Sequence, residues 1–150
     1  MKNPAENAQA VQILREENIG RLAMCAGDYP YVIPLCYVYV RQCIYFHCGP
    51  AGKKLEMIRE NNRVCFQVDR ISKILPSDYP CKYSIDSRSV IAFGRVTEVE
   101  DDAEKLEALE ALTGAFVRES PVNPISPDQA ASVIVLKMNI DGMTVKTTGS

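Results

Sequence analysis

The most informative stretch of this sequence is IYFHCGPAGKKL, residues 44–55. Its apolar and aromatic beginning is typical of a strand, and its end predicts a helix over residues 53–60. Exposed N–H groups at a helix start, the helix dipole and the ammonium groups of Lys53 and Lys54 together favour phosphate binding. The same spacing also fits a plain turn followed by two solvated lysines. Both interpretations stay open at this point.

Two strand-like segments precede this stretch. Arg21–Ala26 and Tyr31–Val40 are apolar, β-branched or aromatic, and the turn-forming residues 27–30 separate them, so we predict a hairpin. Pro34 interrupts the second segment. Because proline cannot donate to a β-ladder, it predicts either an edge strand at that point or a strand whose amide side faces something other than a strand.

The rest of the chain alternates strands with less regular segments. Residues 72–87 lack periodicity and predict a long loop. Gly94, in the middle of the longest predicted strand, indicates a bulge, a barrel corner or a close backbone approach. Asp141-Gly142 predicts a two-residue turn between the last two strands. The predicted downstream strands cover residues 63–70, 88–98, 132–140 and 143–147.

Besides the helix over 53–60, we predict one helix over residues 5–18 and another that starts at Asp101-Asp102. Leucines and a phenylalanine repeat at helical spacing in the latter, ending at Phe116. About seven strands and three helices result. Hairpin-linked strands without regular βαβ alternation predict a mainly β fold with flanking helices, an antiparallel barrel rather than a doubly wound sheet.

Length and composition set the class of protein. The chain has 150 residues, 47% of them hydrophobic, and a net charge of −2, so we expect one globular domain over residues 1–150. An acidic balance is a poor match for a general nucleic-acid binder. No apolar run is long enough to span a membrane, and the amino terminus lacks the apolar stretch of a secretory signal. We therefore expect a cytoplasmic protein with no nucleic-acid or membrane partner.

Six cysteines occur without a C-x-x-C pair. This spacing favours small apolar residues in a reduced protein over a structural metal site, because zinc sites usually present close thiolate pairs. A site on Cys43, His47 and Cys48, or a redox thiol, is the less supported alternative. We predict no metal.

Motifs that would identify a catalytic site are missing. The sequence has no G-x-G-x-x-G, no phosphate-binding P-loop, no G-x-S-x-G and only one histidine, His47. Demanding chemistry would therefore need a cofactor. A second basic and hydroxyl pair, Arg88-Ser89, can bind phosphate if the fold brings it beside Lys53 and Lys54.

One ordered set of motifs resembles the motifs of a known protein family. The sequence resembles the flavin-binding split-barrel proteins, and most of all their nitroimidazole-resistance branch. Its resemblance to pyridoxamine 5′-phosphate oxidase is more distant. The resemblance covers most of residues 10–140. Its motifs are GRLA (20–23), YVIPLCYV (31–38), IYFH (44–47), GKKL (52–55), REN (59–61), RVCF (63–66) and RSVIAFGRV (88–96).

The resemblance implies a six-stranded antiparallel Greek-key split barrel of the FMN-binding type. It implies a homodimer with two equivalent flavin sites in the groove between subunits, and FMN, or else FAD, as the cofactor. The residues that it assigns to the phosphate are Lys53, Lys54, Arg88 and Ser89. Those that it assigns to the flavin ring are Pro34, Leu35 and Tyr37, with His47 close by.

The resemblance also implies an oxidoreductase that reduces a small acceptor, such as a nitroaromatic compound, by two electrons through the flavin. His47 would be the catalytic residue, orienting the acceptor or donating a proton, since its unperturbed pKa lies near neutrality. Two alternatives stay open. One is a flavin or haem binding or storage module without turnover. The other is a pyridoxamine phosphate oxidase, which needs a second phosphate-binding cluster that the sequence lacks.

Overall fold

A computed structural model describes residues 7–117 and 123–149 of the chain. Seven antiparallel strands form one sheet, and four α-helices flank it. The strands are β1 (Ile19–Ala26), β2 (Tyr29–Cys36), β3 (Val38–Val40), β4 (Cys43–Cys48), β5 (Arg63–Leu75), β6 (Ser84–Glu98) and β7 (Ile134–Thr148). The helices are α1 (Ala8–Glu16), α2 (Lys53–Glu60), α3 (Asp102–Phe116) and α4 (Pro127–Ala131).

The order of the strands explains how the sheet closes. Neighbours in the sheet follow the order β2-β1-β5-β6-β7-β4-β3. The two edge strands, β2 and β3, are consecutive in the chain with only Tyr37 between them. The backbone itself therefore joins the two edges into a barrel. The mainly β fold with flanking helices is confirmed, with seven strands rather than six because Tyr37 divides one run into two.

The interior alternates with the exterior along each strand, as an antiparallel barrel requires. In β6, for example, Val90, Ala92 and Val96 are buried, while Ile91 and Phe93 are exposed. Tyr37 is fully buried and packs edge-to-face on Phe66, with ring centres 5.0 Å apart.

Helices α1 and α2 lie at opposite ends of the barrel. Leu14 of α1 accepts a hydrogen bond of 3.1 Å from the Tyr37 hydroxyl, beside the beginning of β1. Asn61, which follows α2, donates a bond of 2.8 Å to the carbonyl of Cys25, near the end of β1. Each helix thus covers one end of the interior.

The predicted turn at Asp141-Gly142 is wrong. Strand β7 continues through both residues, and its ladder with β6 runs from Leu136 to Thr148. Gly142 lies opposite Phe93 and Ile140 opposite Gly94, so Asp141 is an extra residue in the ladder. The bulge and the close approach predicted at Gly94 are confirmed, because a Cβ there would lie 2.0 Å from the carbonyl oxygen of Asn139.

The predicted loop over residues 72–87 is also wrong. Strands β5 and β6 extend beyond the barrel as a hairpin, and a short 3₁₀ turn over Pro80–Lys82 lies at its tip. The first helix, predicted over residues 5–18, covers Ala8–Glu16, and residues 5 and 6 lie outside the described part. In residues 7–117 and 123–149, no helix has both the length and the apolar character to cross a bilayer.

Candidate functional site

The loop and helix predicted from residues 44–55 are present. Strand β4 ends at Cys48, and α2 begins directly after Gly52, whose φ of 132° is a conformation that favours glycine. A Cβ on Gly49 or Gly52 would meet nothing within 4 Å, so the surface of the loop is open.

The amino terminus of α2 differs from those of the other helices. Side chains of Asn7, Asp101 and Ser126 cap α1, α3 and α4, but no side chain caps α2 at Gly52. The first N–H groups of a helix have no acceptor within the helix. Those of α2 therefore point to the open surface beside the loop, where an anion can accept their hydrogen bonds.

Two ammonium groups flank this uncapped terminus. The Lys53 nitrogen lies 4.4 Å from the centre of the Tyr31 ring, and the Lys54 nitrogen lies 5.8 Å from that of Phe46. Among the ion pairs of residues 7–117 and 123–149, none involves Lys53 or Lys54. The charge of both lysines is therefore available to a ligand.

His47 projects from the outer face of β4, close to Lys54. Burial of the imidazole lowers its pKa, and the charge of Lys54 lowers it further. Since the ordinary pKa of histidine is about 6.5, both effects favour the neutral ring at pH 7. A neutral imidazole can donate one hydrogen bond and accept another.

The His47 ring lines a cavity of about 580 Å³. This cavity lies between the barrel wall, the end of α3 and the segment that carries α4. Most of its walls are apolar, from residues of α3 and of the segment after it. The residues that line it are Cys36, His47, Leu109, Leu112, Thr113, Phe116, Asn123, Ile125, Gln129, Ser132 and Val133.

The three residues that the resemblance assigns to the flavin ring lie in different environments. Pro34 is exposed on the outer face of β2, and Leu35 is half-buried and packs against the core. Tyr37 is fully buried, and its hydroxyl is bonded to Leu14, so its side chain presents no surface to a ligand. Strand β2 is at the edge of the sheet, which confirms the edge position predicted from Pro34.

Sequence reasoning missed Cys36. Because side chains alternate along a strand, Val32, Pro34 and Cys36 share the outer face of β2. Cys36 lines the same cavity as His47. The period-two pattern of β2 holds the signal that places Cys36 on this face. The contributions of Thr113, Asn123 and Gln129 had no comparable signal, because they depend on how α3 and α4 dock.

Arg88 and Ser89 are adjacent in β6, so they point to opposite faces of the sheet. Ser89 shares the outer face with Ile91 and Phe93. Arg88 shares the inner side and faces α1, where it lines a small cleft of about 80 Å³ with Glu16 and Arg70. The positive charge of Arg88 helps to lower the pKa of Glu16, after the hydrogen bond from Gln12 and the charge of Arg70.

The lysines and Arg88 lie at opposite ends of one barrel. Tyr31, beside Lys53, pairs with Met24 of β1, and Met24 pairs on its other side with Val64 of β5. Arg88 pairs with Arg70, six residues further along β5. At about 3.3 Å per residue the two positions are about 20 Å apart along the strands, so the fold does not place Arg88 beside the lysines within a single chain.

An antiparallel barrel closed through its own backbone, with a helix at each end, defines the split-barrel class of proteins. The sequence profile of the pyridoxamine 5′-phosphate oxidase family matches residues 6–147, so the chain belongs to that family. The resemblance found in the sequence motifs is confirmed.

Solved structures agree with this assignment. A candidate 5-nitroimidazole antibiotic resistance protein from Bacteroides thetaiotaomicron is 28% identical, with a TM-score of 0.77 over 93% of this chain and 83% of that one. An FAD-binding protein from Mesorhizobium loti is 25% identical, with a TM-score of 0.72 over 95% of this chain and 96% of that one. An FAD and haem binding protein from Mycobacterium smegmatis shares the fold at 18% identity, with a TM-score of 0.84 over 96% of this chain and 72% of that one.

A curated relative matches only in part. An uncharacterised protein of Rhizobium meliloti, RA0666, is 33% identical over 51 residues, which are 34% of this chain and 33% of that protein. The match therefore spans about a third of the relative's length.

Proposed function

We propose that this protein is a homodimeric flavoprotein that reduces a small acceptor by two electrons. The observation that carries the proposal is the uncapped start of α2, flanked by Lys53 and Lys54, next to a cavity that His47 lines. The family, and the flavin and nitroimidazole functions named for its relatives, support the same proposal.

The residues at α2 fit the phosphate of a flavin mononucleotide or dinucleotide. Free N–H groups, the positive end of the helix dipole and two ammonium groups that form no ion pair with the described residues all favour a dianion. The open surface at Gly49 and Gly52 leaves room for it. Lys53 and Lys54 would hold the phosphate, and Pro34 on the outer face of β2 would contact the ring.

A second copy of the chain is part of the proposal because one copy leaves an apolar face uncovered. Val32 is 58% exposed, Phe93 42% and Ile91 37%, all on the outer side of the sheet. Contiguous apolar surface of this kind marks a protein interface. Ser89 lies on the same outer face of β6 as Ile91 and Phe93, so we propose that it belongs to the surface that the second copy covers.

When bound, the flavin supplies the redox chemistry. The chain itself would bind the phosphate, hold the ring against β2 and orient the acceptor through His47. A neutral imidazole holds one ring proton at neutral pH, so it can donate a hydrogen bond to an acceptor in the cavity. A nitroaromatic acceptor agrees with the function named for the Bacteroides relative.

The test has two stages. Purified protein is titrated with FMN and FAD while flavin absorbance and fluorescence are recorded, and the Lys54→Glu variant is compared with Lys105→Glu, a lysine of α3 outside this site. We expect wild type and Lys105→Glu to bind flavin and Lys54→Glu to lose binding. Absence of binding by wild type would contradict the proposal.

The second stage adds a chemical reductant and a nitroimidazole under anaerobic conditions. Steady turnover by the flavin-loaded protein is the expected result. Flavin binding without turnover of this acceptor or of other small acceptors would instead support a storage or binding module.

A further inference from the structure

The cavity beside His47 has the size and wall chemistry of a small-molecule site. Its volume of about 580 Å³ lies within the usual range for ligand pockets, roughly 300 to 1,000 Å³. Leu109, Leu112 and Phe116 of α3 form one wall, and Ile125 and Val133 belong to the segment that carries α4. The site is therefore mainly apolar, with few polar contacts.

The charge of the lining distinguishes this cavity from the surface at α2. Among the described residues that line it there is no lysine, arginine, aspartate or glutamate. The one titratable nitrogen base is His47, and both burial and the charge of Lys54 hold its pKa below the ordinary value. An anion that entered this cavity would lose hydration without contacting a lysine or arginine among these described residues, which is costly.

The two hydroxyls and one amide oxygen of the lining already have hydrogen-bond partners, and this limits the groups that remain for a ligand. The Thr113 hydroxyl donates to the Leu109 carbonyl at 2.8 Å. The Ser132 hydroxyl donates to the Gln129 carbonyl at 2.8 Å. The side-chain oxygen of Gln129 accepts from the backbone of Ser126, so its amide N–H groups remain as donors. These groups can recognise neutral polar substituents on a ring.

We infer that this cavity binds an uncharged ring compound and discriminates against anions of the same shape, with the end of α3 and residue Gln129 setting the selectivity. The identification of this compound as the electron acceptor rests on the proposed function. The lining then disfavours phosphate esters such as pyridoxamine phosphate, because none of its described residues is a lysine or arginine that could offset the cost of burying the phosphate.

The test uses a pair of probes that are nearly identical in shape, 4-nitrobenzamide and 4-nitrobenzoate. His47 is the only histidine of the chain, so its ring signals in NMR report on binding without ambiguity. We expect the neutral amide to shift these signals and to bind at least about tenfold more tightly than the carboxylate, which corresponds to about 1.4 kcal/mol. Equal affinities, or no response of His47 to the amide, would overturn the inference.

A variant with a new cation gives the complementary result. Thr113→Lys places an ammonium group in the wall, and Thr113→Met is its neutral control with a side chain of similar reach. We expect Thr113→Lys to reduce the preference for the amide about tenfold or more and Thr113→Met to keep it. Folding of both variants is checked by circular dichroism. An unchanged preference in folded Thr113→Lys would contradict the inference.

Both probes are titrated with and without flavin, so that a failure of the cavity proposal can be distinguished from a failure of the flavoprotein proposal. Selective binding of the amide by a protein that takes up no flavin would support the cavity and contradict the flavoprotein. Flavin uptake without charge selectivity would support the flavoprotein and contradict the cavity.

Discussion

His47 and Lys54 are electrostatically linked: burial of the imidazole lowers its pKa, and the ammonium group of Lys54 lowers it further. The link exists because β4 delivers His47 to the outer face just before the loop that starts α2. The positive charge of Lys54, which we propose binds an anion at the start of α2, therefore also favours the neutral form of His47.

Replacing Lys54 with glutamine should raise the pKa of His47. Without the ammonium group, the protonated imidazole loses an unfavourable interaction, so protonation becomes easier. The pKa is measured by following the ring proton signals of the single histidine against pH. Lys53→Gln is the control, because the charge of Lys53 does not contribute to the His47 shift. Equal shifts in both variants would contradict this assignment.

The same kind of comparison tests whether Arg88 contributes to the phosphate site that Lys54 forms. Loss of a charge-assisted hydrogen bond to phosphate costs about 1.5–3 kcal/mol, or roughly 10- to 100-fold in affinity. We expect Lys54→Gln to weaken flavin binding by this amount and Arg88→Gln to change it less than about threefold. Affinity is measured by flavin fluorescence. An equal loss in Arg88→Gln would place Arg88 in the phosphate site, as the resemblance implies.

Tyr37 should matter for stability rather than for flavin. Tyr37→Phe removes the hydroxyl that bonds to the Leu14 carbonyl, and it leaves that buried acceptor without its partner. We expect a loss of about 1 kcal/mol in the free energy of unfolding and unchanged flavin affinity. Denaturant unfolding measures the first and fluorescence titration the second.

Tyr39→Phe is the matched control for Tyr37→Phe. Tyr39 is also buried, but its hydroxyl makes no hydrogen bond with the described residues, so we expect a smaller effect on stability. A normal stability combined with weakened flavin binding in Tyr37→Phe would show that Tyr37 contacts the ring after all.

Gly94 should tolerate no side chain. The carbonyl oxygen of Asn139 lies only 2.0 Å from the position that a Cβ on Gly94 would take. Gly94→Ala must push β6 and β7 apart, and we expect a loss on the order of 3 kcal/mol in the free energy of unfolding. Gly114→Ala in α3 meets nothing within 4 Å and should stabilise the protein by about 0.5 kcal/mol, since alanine favours a helix. Similar effects of the two substitutions would contradict the close approach at Gly94.

Local patterns predicted much of the fold. The alternation in β1 is a strong signal because it arises from one buried face. In α3 the leucine spacing indicated the helix, and Leu109 and Leu112 form part of its buried face. Gly94 was also a strong signal, because glycine weakens the interior of a strand and often marks a bulge or a close backbone approach there. The resemblance supplied the closed topology, which no local pattern contains.

The errors have a common physical cause. Asp141-Gly142 is a typical turn sequence, yet the ladder with β6 continues on both sides of it, and tertiary pairing absorbs the extra residue as a bulge. The hairpin that extends β5 and β6 has no buried face of its own over much of its length, so its sequence shows no alternation. Pairing with another strand determined the structure of both segments.

The candidate site was predictable only in part. The lysines and His47 belong to one continuous stretch, so sequence alone places them near each other. The separation of Arg88 from Lys53 depends on the register of four strands, and the orientation of Arg88 away from Ser89 depends on which face of β6 is buried. The cavity depends on the docking of α3 and α4 against β4, which leaves no local signature.

The central claim is that two copies of this chain hold flavin between them, and native mass spectrometry after incubation with FMN or FAD tests it most directly. One spectrum reports both the number of chains and the number of flavins. We expect a species of about twice the chain mass of 16.7 kDa that carries two flavins and loses them in the Lys54→Glu variant. A flavin-free species, or flavin bound to a single chain with the same affinity in wild type and Lys54→Glu, would contradict the account.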